Sequence, residues 1–221
     1  MKLILKDVCK EIRKKTILSH IDLELESGNV YAFVGENGSG KTMLFRAISG
    51  LMDLTSGTVM LDGKELHKDF EVLTNLGLTI ENAGLYPELT GFENLRLLAR
   101  LNKKIGDEEI REAIERVGLD PKDRRTFRKY SLGMKQRIVV AQAIMEKPDI
   151  LLLDEPTNAL DEDGVDLVRK IILEEKERGA LVLIADHNPE DIRLLADKVF
   201  YISRGVVSEG KRGGRVAQTI T

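Results

Sequence analysis

The chain has a single cysteine, Cys9, among 221 residues. One thiol excludes an internal disulfide and fits a reducing cytosol; its expected place is in buried packing rather than in reactivity. No stretch approaches the ~18 consecutive apolar residues of a membrane span. The opening Met1-Lys2-Leu3-Ile4-Leu5 is too short for the apolar core of a secretory signal and is followed at once by charges. Positive charge is not in excess either. The formal net charge is −3, so no nucleic-acid face is advertised. Arg13-Lys14-Lys15 and Arg124-Arg125 are short, mixed with acids, and read as solvated surface. No internal repeat is present. What remains is a globular chain of one domain, or one domain with an inserted subdomain, long enough to bury a core.

Against these absences stands Gly35-Glu36-Asn37-Gly38-Ser39-Gly40-Lys41-Thr42. It fits the phosphate-binding pattern G-x-x-x-x-G-K-[ST]. Val30 to Val34, just before it, is a buried strand by length and composition. Met43, Leu44, Ala47 and Ile48 then recur at helical spacing, and Gly50 ends the helix. Glycines let backbone N–H groups turn inward around a phosphate, and the helix N-terminus adds partial positive charge. Lys41 can reach the β- and γ-phosphates, and the Thr42 hydroxyl can ligate Mg²⁺. A chance glycine turn would match in roughly 1% of chains of this length, which favours a nucleoside triphosphate site.

Ile150-Leu151-Leu152-Leu153-Asp154-Glu155-Pro156 places two acids at the C-terminal end of a buried strand, where ligands bind in open α/β sheets. Asp154 suits Mg²⁺ or its waters, and Glu155 is positioned to polarise an attacking water. The competing reading is an ordinary strand and acidic turn, which loses weight downstream of a phosphate loop.

Around these motifs the pattern is α/β. Residues 2–8 and 21–25 alternate as strands of a small antiparallel sheet; 58–61 and 76–80 are further strands. Helices are expected over 93–101, along the stripe Ile110, Ala113, Ile114 and Val117, and from about 134 to 145, the last apolar nearly all round and so buried. Then come a helix over 165–178, a strand over 181–185, a helix start at Asn188-Pro189, and strands over 199–202 and 206–208. The expected division is an ATPase core over 1–81 and 147–209, a helical insertion over 82–146, and a flexible tail over 210–221.

Tyr130-Ser131-Leu132-Gly133-Met134-Lys135-Gln136-Arg137 is by itself only a serine-capped helix start. Between the two other motifs it is similar to the ABC signature, usually L-S-G-G-Q followed by Q-R, with Ser131, Gly133, Gln136 and Arg137 matching. With the three motifs in order, the chain resembles the nucleotide-binding subunit of ABC transporters over essentially its whole length. The stretch from Ile80 to Leu95, with the signature, looks most like the bacitracin and lantibiotic-resistance exporters.

The resemblance implies a P-loop NTPase core with a mostly parallel sheet, a small N-terminal antiparallel β-subdomain and an inserted helical subdomain. It implies hydrolysis of ATP with Mg²⁺ and phosphate contacts from Gly35, Asn37, Gly38, Ser39, Gly40, Lys41 and Thr42. Asp161 matches the D-loop aspartate, and His187 the switch histidine that meets the γ-phosphate. Glu81 stands where the family usually has a metal-sensing Gln, which makes it, with Thr42 and Asp154, a candidate metal ligand. Ile12 takes the place of the usual base-stacking aromatic, which leaves ATP against GTP open. Two copies would pair head to tail, each nucleotide lying between the phosphate loop of one and Ser131 and Gly133 of the other. Separate transmembrane permease subunits would hold the dimer on the inner face of the cell membrane, with no nucleic acid involved; the substrate is not written in this chain.

Three alternatives share parts of the pattern. A soluble ABC-type ATPase of a cytosolic assembly, such as an iron–sulfur scaffold, has the same motifs and differs by lacking a permease. A chromosome-organising ATPase would place a long coiled coil where only about 90 residues without sustained heptads separate phosphate loop and signature. A non-catalytic nucleotide-gated module would not need intact Lys41, Asp154, Glu155 and His187.

Overall fold

The three five-residue apolar runs at 30–34, 150–154 and 181–185 form adjacent central strands, because each is buried on both faces. In the computed structural model, which describes residues 1–80 and 84–210, they are β3 (Val30–Val34), β7 (Ile150–Asp154) and β8 (Leu181–Ala185). With β6 (Leu76–Thr79), β9 (Lys198–Ser203) and β10 (Val206–Glu209) they build a six-stranded sheet in the order β10-β9-β3-β8-β7-β6. Only the β9–β10 pair is antiparallel. Neighbouring residues face opposite layers. Val30 and Ala32 pack with Leu95, Ile114, Ile138 and Val168, whereas Tyr31 and Phe33 pack with Leu44, Phe45, Leu3 and Leu25. Phe33 stacks on Phe200 at 5.3 Å and meets Phe45 edge-on at 6.0 Å between ring centroids.

A second, four-stranded antiparallel sheet runs β2-β1-β4-β5, from β1 (Lys2–Ile12), β2 (Lys15–Glu26), β4 (Ser56–Leu61) and β5 (Lys64–Glu65). The β1–β2 hairpin is longer than alternation predicts. Register shifts between Leu5 and Val8, Val8 and Lys10, and Lys10 and Glu11 break the period of two, so the pattern fades while the pairing continues. Cys9 sits inside this bulged stretch and is only half-buried. The expectation of a core cysteine is therefore corrected: the bulges turn it out of the apolar row.

The helices are α1 (Lys41–Ser49), α2 (Gly91–Asn102), α3 (Asp107–Arg116), α4 (Leu132–Ile144), α5 (Glu162–Glu177) and α6 (Pro189–Leu195). Three of them, α2 to α4, lie between β6 and β7 in chain order. Helix α2 opens with a reciprocal cap between Thr90 and Glu93, and Ser131 caps α4 through the Met134 N–H at 3.1 Å. Within the stretch expected to be buried, Ile138, Val140, Ala141, Ala143 and Ile144 are buried, while the helix starts two residues earlier, at Leu132, which is 70% exposed.

Helix α4 crosses β6 at Gly77, where a Cβ would lie 2.1 Å from the Ala143 carbonyl oxygen. Gly77→Val should therefore lower unfolding stability by about 1–3 kcal/mol, the usual range for overpacking, read as a lower urea midpoint with unchanged slope. An unaltered midpoint would mean that this contact is not as tight as its geometry states.

Candidate active site

The parallel register decides which loops meet. Phe33, Ala185 and Asp154 form one row, since Phe33 pairs with Ala185 and Ala185 with Asp154. The segments that leave this row carry the phosphate loop, Glu155 and His187. Gly38 and Gly40 adopt φ of 80° and 116°, which only glycine takes without strain, and so wind the loop into the start of α1. Lys41 is 6% exposed, and its Nζ donates to the carbonyls of Gly35 at 2.7 Å and Glu36 at 3.2 Å. The Ser39 hydroxyl is buried with no hydrogen-bond partner among the described residues. A buried amine held by two carbonyls and, among the described residues, an orphaned hydroxyl under a glycine cradle fit a bound polyphosphate.

The Thr42 hydroxyl donates to Asp154 Oδ2 at 2.5 Å, and the Asp154 N–H donates to Thr79 Oγ1 at 3.0 Å. A hydroxyl and a carboxylate make a hard oxygen pair that suits Mg²⁺. Both carboxylate oxygens of Glu155 are engaged. Asn158 Nδ2 donates to Oε2 at 3.2 Å, and His187 Nδ1 lies 3.3 Å from Oε1. The backbone of Glu155 is left-handed, φ 46°, and its N–H donates to the Ala185 carbonyl at 2.8 Å. Gln136 Nε2 reaches from α4 to the carbonyls of Glu155 and Pro156 at 3.1 and 3.2 Å. Beyond them Arg137 Nη2 donates to Asp161 Oδ1 at 2.5 Å and holds that carboxyl below its ordinary range.

A cleft of about 530 Å³ opens over this edge. Asn37, Gly38, Gly40, Lys41, Thr42, Asp154 and Glu155 line it, as their motifs require. Gly35 and Ser39 support the loop from beneath, and His187 joins through Glu155. Ile12, in contrast, stands 41% exposed near the hairpin turn and is not part of the lining; Ile17 is. Ser131 is exposed, Gly133 lies against the Ala159 carbonyl, and neither reaches the cleft of its own chain. Glu81 lies outside the described residues.

Sequence reasoning passed over Ile17, Thr79 and Asp186, and it gave Asn158 and Gln136 no role in holding Glu155. Asn158 and Gln136 were within reach, since both sit inside matched motifs. Asp186 carried no signal. It is 3% exposed, its Oδ1 accepts from the N–H groups of His187 and Asn188 at 2.6 and 2.8 Å, and Oδ2 has no hydrogen-bond partner among the described residues. Burial raises its pKa, and nearby Asp191 adds to the rise, partly offset by those two N–H groups.

Comparison with known proteins adds the following. The ABC transporter family model matches residues 18–158. The chain is 48% identical over 199 residues to an uncharacterized ABC transporter ATP-binding protein of Bacillus subtilis (strain 168), covering 90% of this chain and 91% of that one. It is 36% identical over 206 residues to the bacitracin transport ATP-binding protein of Enterococcus faecalis, covering 92% of this chain but only 65% of that relative. A bacterial ABC transporter cassette solved as a dimer, 24% identical, superposes with a TM-score of 0.84 over 96% of this chain and 100% of its own.

A raised carboxyl pKa has a definite sign in stability. Well below the ordinary carboxylate range Asp186 is protonated both folded and unfolded and costs nothing; as pH rises, the unfolded chain ionises first and the folded state is penalised. Asp186→Asn keeps an Oδ1 acceptor for both N–H groups and removes the charge. The variant should gain stability over the parent, and the gain should widen from pH 4 to pH 8 in parallel denaturation curves; a gap that narrows over that span contradicts a raised pKa.

Proposed function

This chain belongs to the ABC transporter family, and on that premise we propose that it is the ATP-binding, ATP-hydrolysing subunit energising a separate membrane permease. The observation that carries the proposal is the 2.5 Å hydrogen bond from Thr42 to Asp154, which joins two motifs 112 residues apart at one cleft edge. Lys41 and the inward N–H groups of residues 37–42 bind the β- and γ-phosphates and stabilise charge that grows there during transfer. Mg²⁺, when held by Thr42 and Asp154, neutralises phosphate charge. Glu155 accepts the proton of a water attacking the γ-phosphorus, while Asn158 and His187 hold its carboxylate in line. The bond from the γ-phosphorus to the bridging oxygen breaks with its electron pair going to the diphosphate, the proton on Glu155 passes on to solvent, and the cleaved phosphate leaves through the open side of the cleft.

Two copies complete the sites. The N-terminus of α4 with Ser131 and Gly133 is an anion site that its own cleft does not use, and exposed Leu132 beside it supports burial against a second copy. A two-fold pair makes two equivalent sites. No helix among the described residues is long and apolar enough to cross a membrane, so membrane work passes through the permease, on whose cytoplasmic side the pair sits. The likeness to a bacitracin transport protein supports export as the direction. Ile17 offers the base aliphatic contact, which grips any purine and makes discrimination between ATP and GTP weak.

Glu155→Gln should bind ATP with near-parental affinity, lose roughly 10²–10⁴-fold in turnover, and accumulate as an ATP-dependent dimer by size-exclusion chromatography with light scattering. Parental phosphate release by this variant removes Glu155 from its role. Lys41→Ala should abolish nucleotide binding in calorimetry, and unchanged affinity would sink the phosphate-loop assignment.

A further inference from the structure

Among the described residues, one other cluster of donor side chains lies outside the nucleotide cleft. On the β1–β2 hairpin, a carboxylate oxygen of Asp7, the Cys9 sulfur and an imidazole nitrogen of His20 lie within 4.8 Å of one another. The bulges create this meeting. Register shifts flank both Asp7 and Cys9, and Asp7 and His20 take left-handed backbone, φ 48° and 49°, which costs energy for residues with a Cβ. The neighbouring strand β4 packs closely against the backbone of Asp7, since a Cβ at Gly57 would lie 2.2 Å from the Asp7 carbonyl oxygen. Within the cluster, His20 Nδ1 lies 2.6 Å from Asp7 Oδ1, and the His20 N–H donates to Cys9 Sγ at 3.2 Å. Asp7 and His20 side chains are 65% and 74% exposed and Cys9 is half-buried, so an ion has access from solution.

We propose that Asp7, Cys9 and His20 bind a zinc-class divalent ion, with a fourth position left open to water or an external ligand. The donor set selects the ion. Thiolate with imidazole and one carboxylate is the mixture that Zn²⁺ accepts in tetrahedral sites, whereas Mg²⁺ and Ca²⁺ take oxygen ligands. Ligand atoms 2.0–2.3 Å from one ion lie about 3.3–3.8 Å apart, so side-chain adjustments of about 1 Å convert the observed cluster into a coordinating one. Binding releases the thiol proton to solvent, and the backbone N–H of His20 already points at the sulfur. The ion would tie β1 to β2 three residues from Ile12 and three from Ile17, the cleft-lining residue of the hairpin.

Co²⁺ is the direct probe, because Cys9 is the only thiol in the chain. Titrated into the full-length protein without Mg²⁺ or nucleotide, Co²⁺ should give a thiolate-to-cobalt charge-transfer band that saturates at one ion per chain and disappears on adding Zn²⁺. Cobalt held at Thr42 and Asp154 has no sulfur ligand and gives no such band. Cys9→Ser should abolish the band, and His20→Gln and Asp7→Asn should each weaken Zn²⁺ binding by roughly tenfold or more. Circular dichroism and retained ATP binding establish that the variants fold, and the two exposed positions keep the test alive if Cys9→Ser does not. No band under excess Co²⁺, saturation at one ion per two chains, or a His20→Gln variant with parental affinity would each overturn the site.

Discussion

The parallel registration of β3 with β8 and of β8 with β7 is the constraint on which the rest depends. Phe33, Ala185 and Asp154 stand in one row across the sheet. Any segment leaving that row at the carboxyl ends of the strands must enter the same volume, and the chain leaves it three times with chemistry: at 35–42, at Glu155 and at His187. The row is rigid because its strands are buried on both faces, between the layer of α2 to α5 and the layer of α1 and the hairpin. A single residue slip of β7 would send Asp154 to the wrong face and break its bond with Thr42.

The electrostatics follow from that geometry. One amine, Lys41, is buried among carbonyls that do not neutralise it, while Asp154 and Glu155 sit within the same cleft. On the proposed function, a polyphosphate with its metal ion would satisfy both signs at once. Glu155 is oriented by Asn158, His187 and the left-handed backbone that its N–H bond to Ala185 stabilises. Gln136 reaches from α4 to the backbone carbonyls of Glu155 and Pro156, and Arg137 to the Asp161 carboxylate, which ties this helix to the 155–161 segment.

The antiparallel sheet plays a different part. Its bulged hairpin brings Ile17 to the cleft, leaves Ile12 at the exposed turn, and gathers the donors of Asp7, Cys9 and His20. Left-handed non-glycine residues occur in this hairpin at Asp7, Arg13, Lys14 and His20, beside the cleft at Glu155 and Ala159, and at turns elsewhere in the chain.

Local pattern alone was enough for the order of elements, the phosphate loop and the acids ending β7. Each is a contiguous signal: an apolar run, a glycine spacing, a pair of carboxylates after a strand. The signature and switch residues were legible only through their order along the chain. Sequence could not tell that Cys9 leaves the core, because bulges erase the alternation that would have placed it, nor that Ile17 rather than Ile12 lines the cleft. The burial of Asp186 and the meeting of Asp7 with His20 belong to tertiary structure. Both depend on segments packed against one another, and no periodicity along a single segment encodes a distance between two.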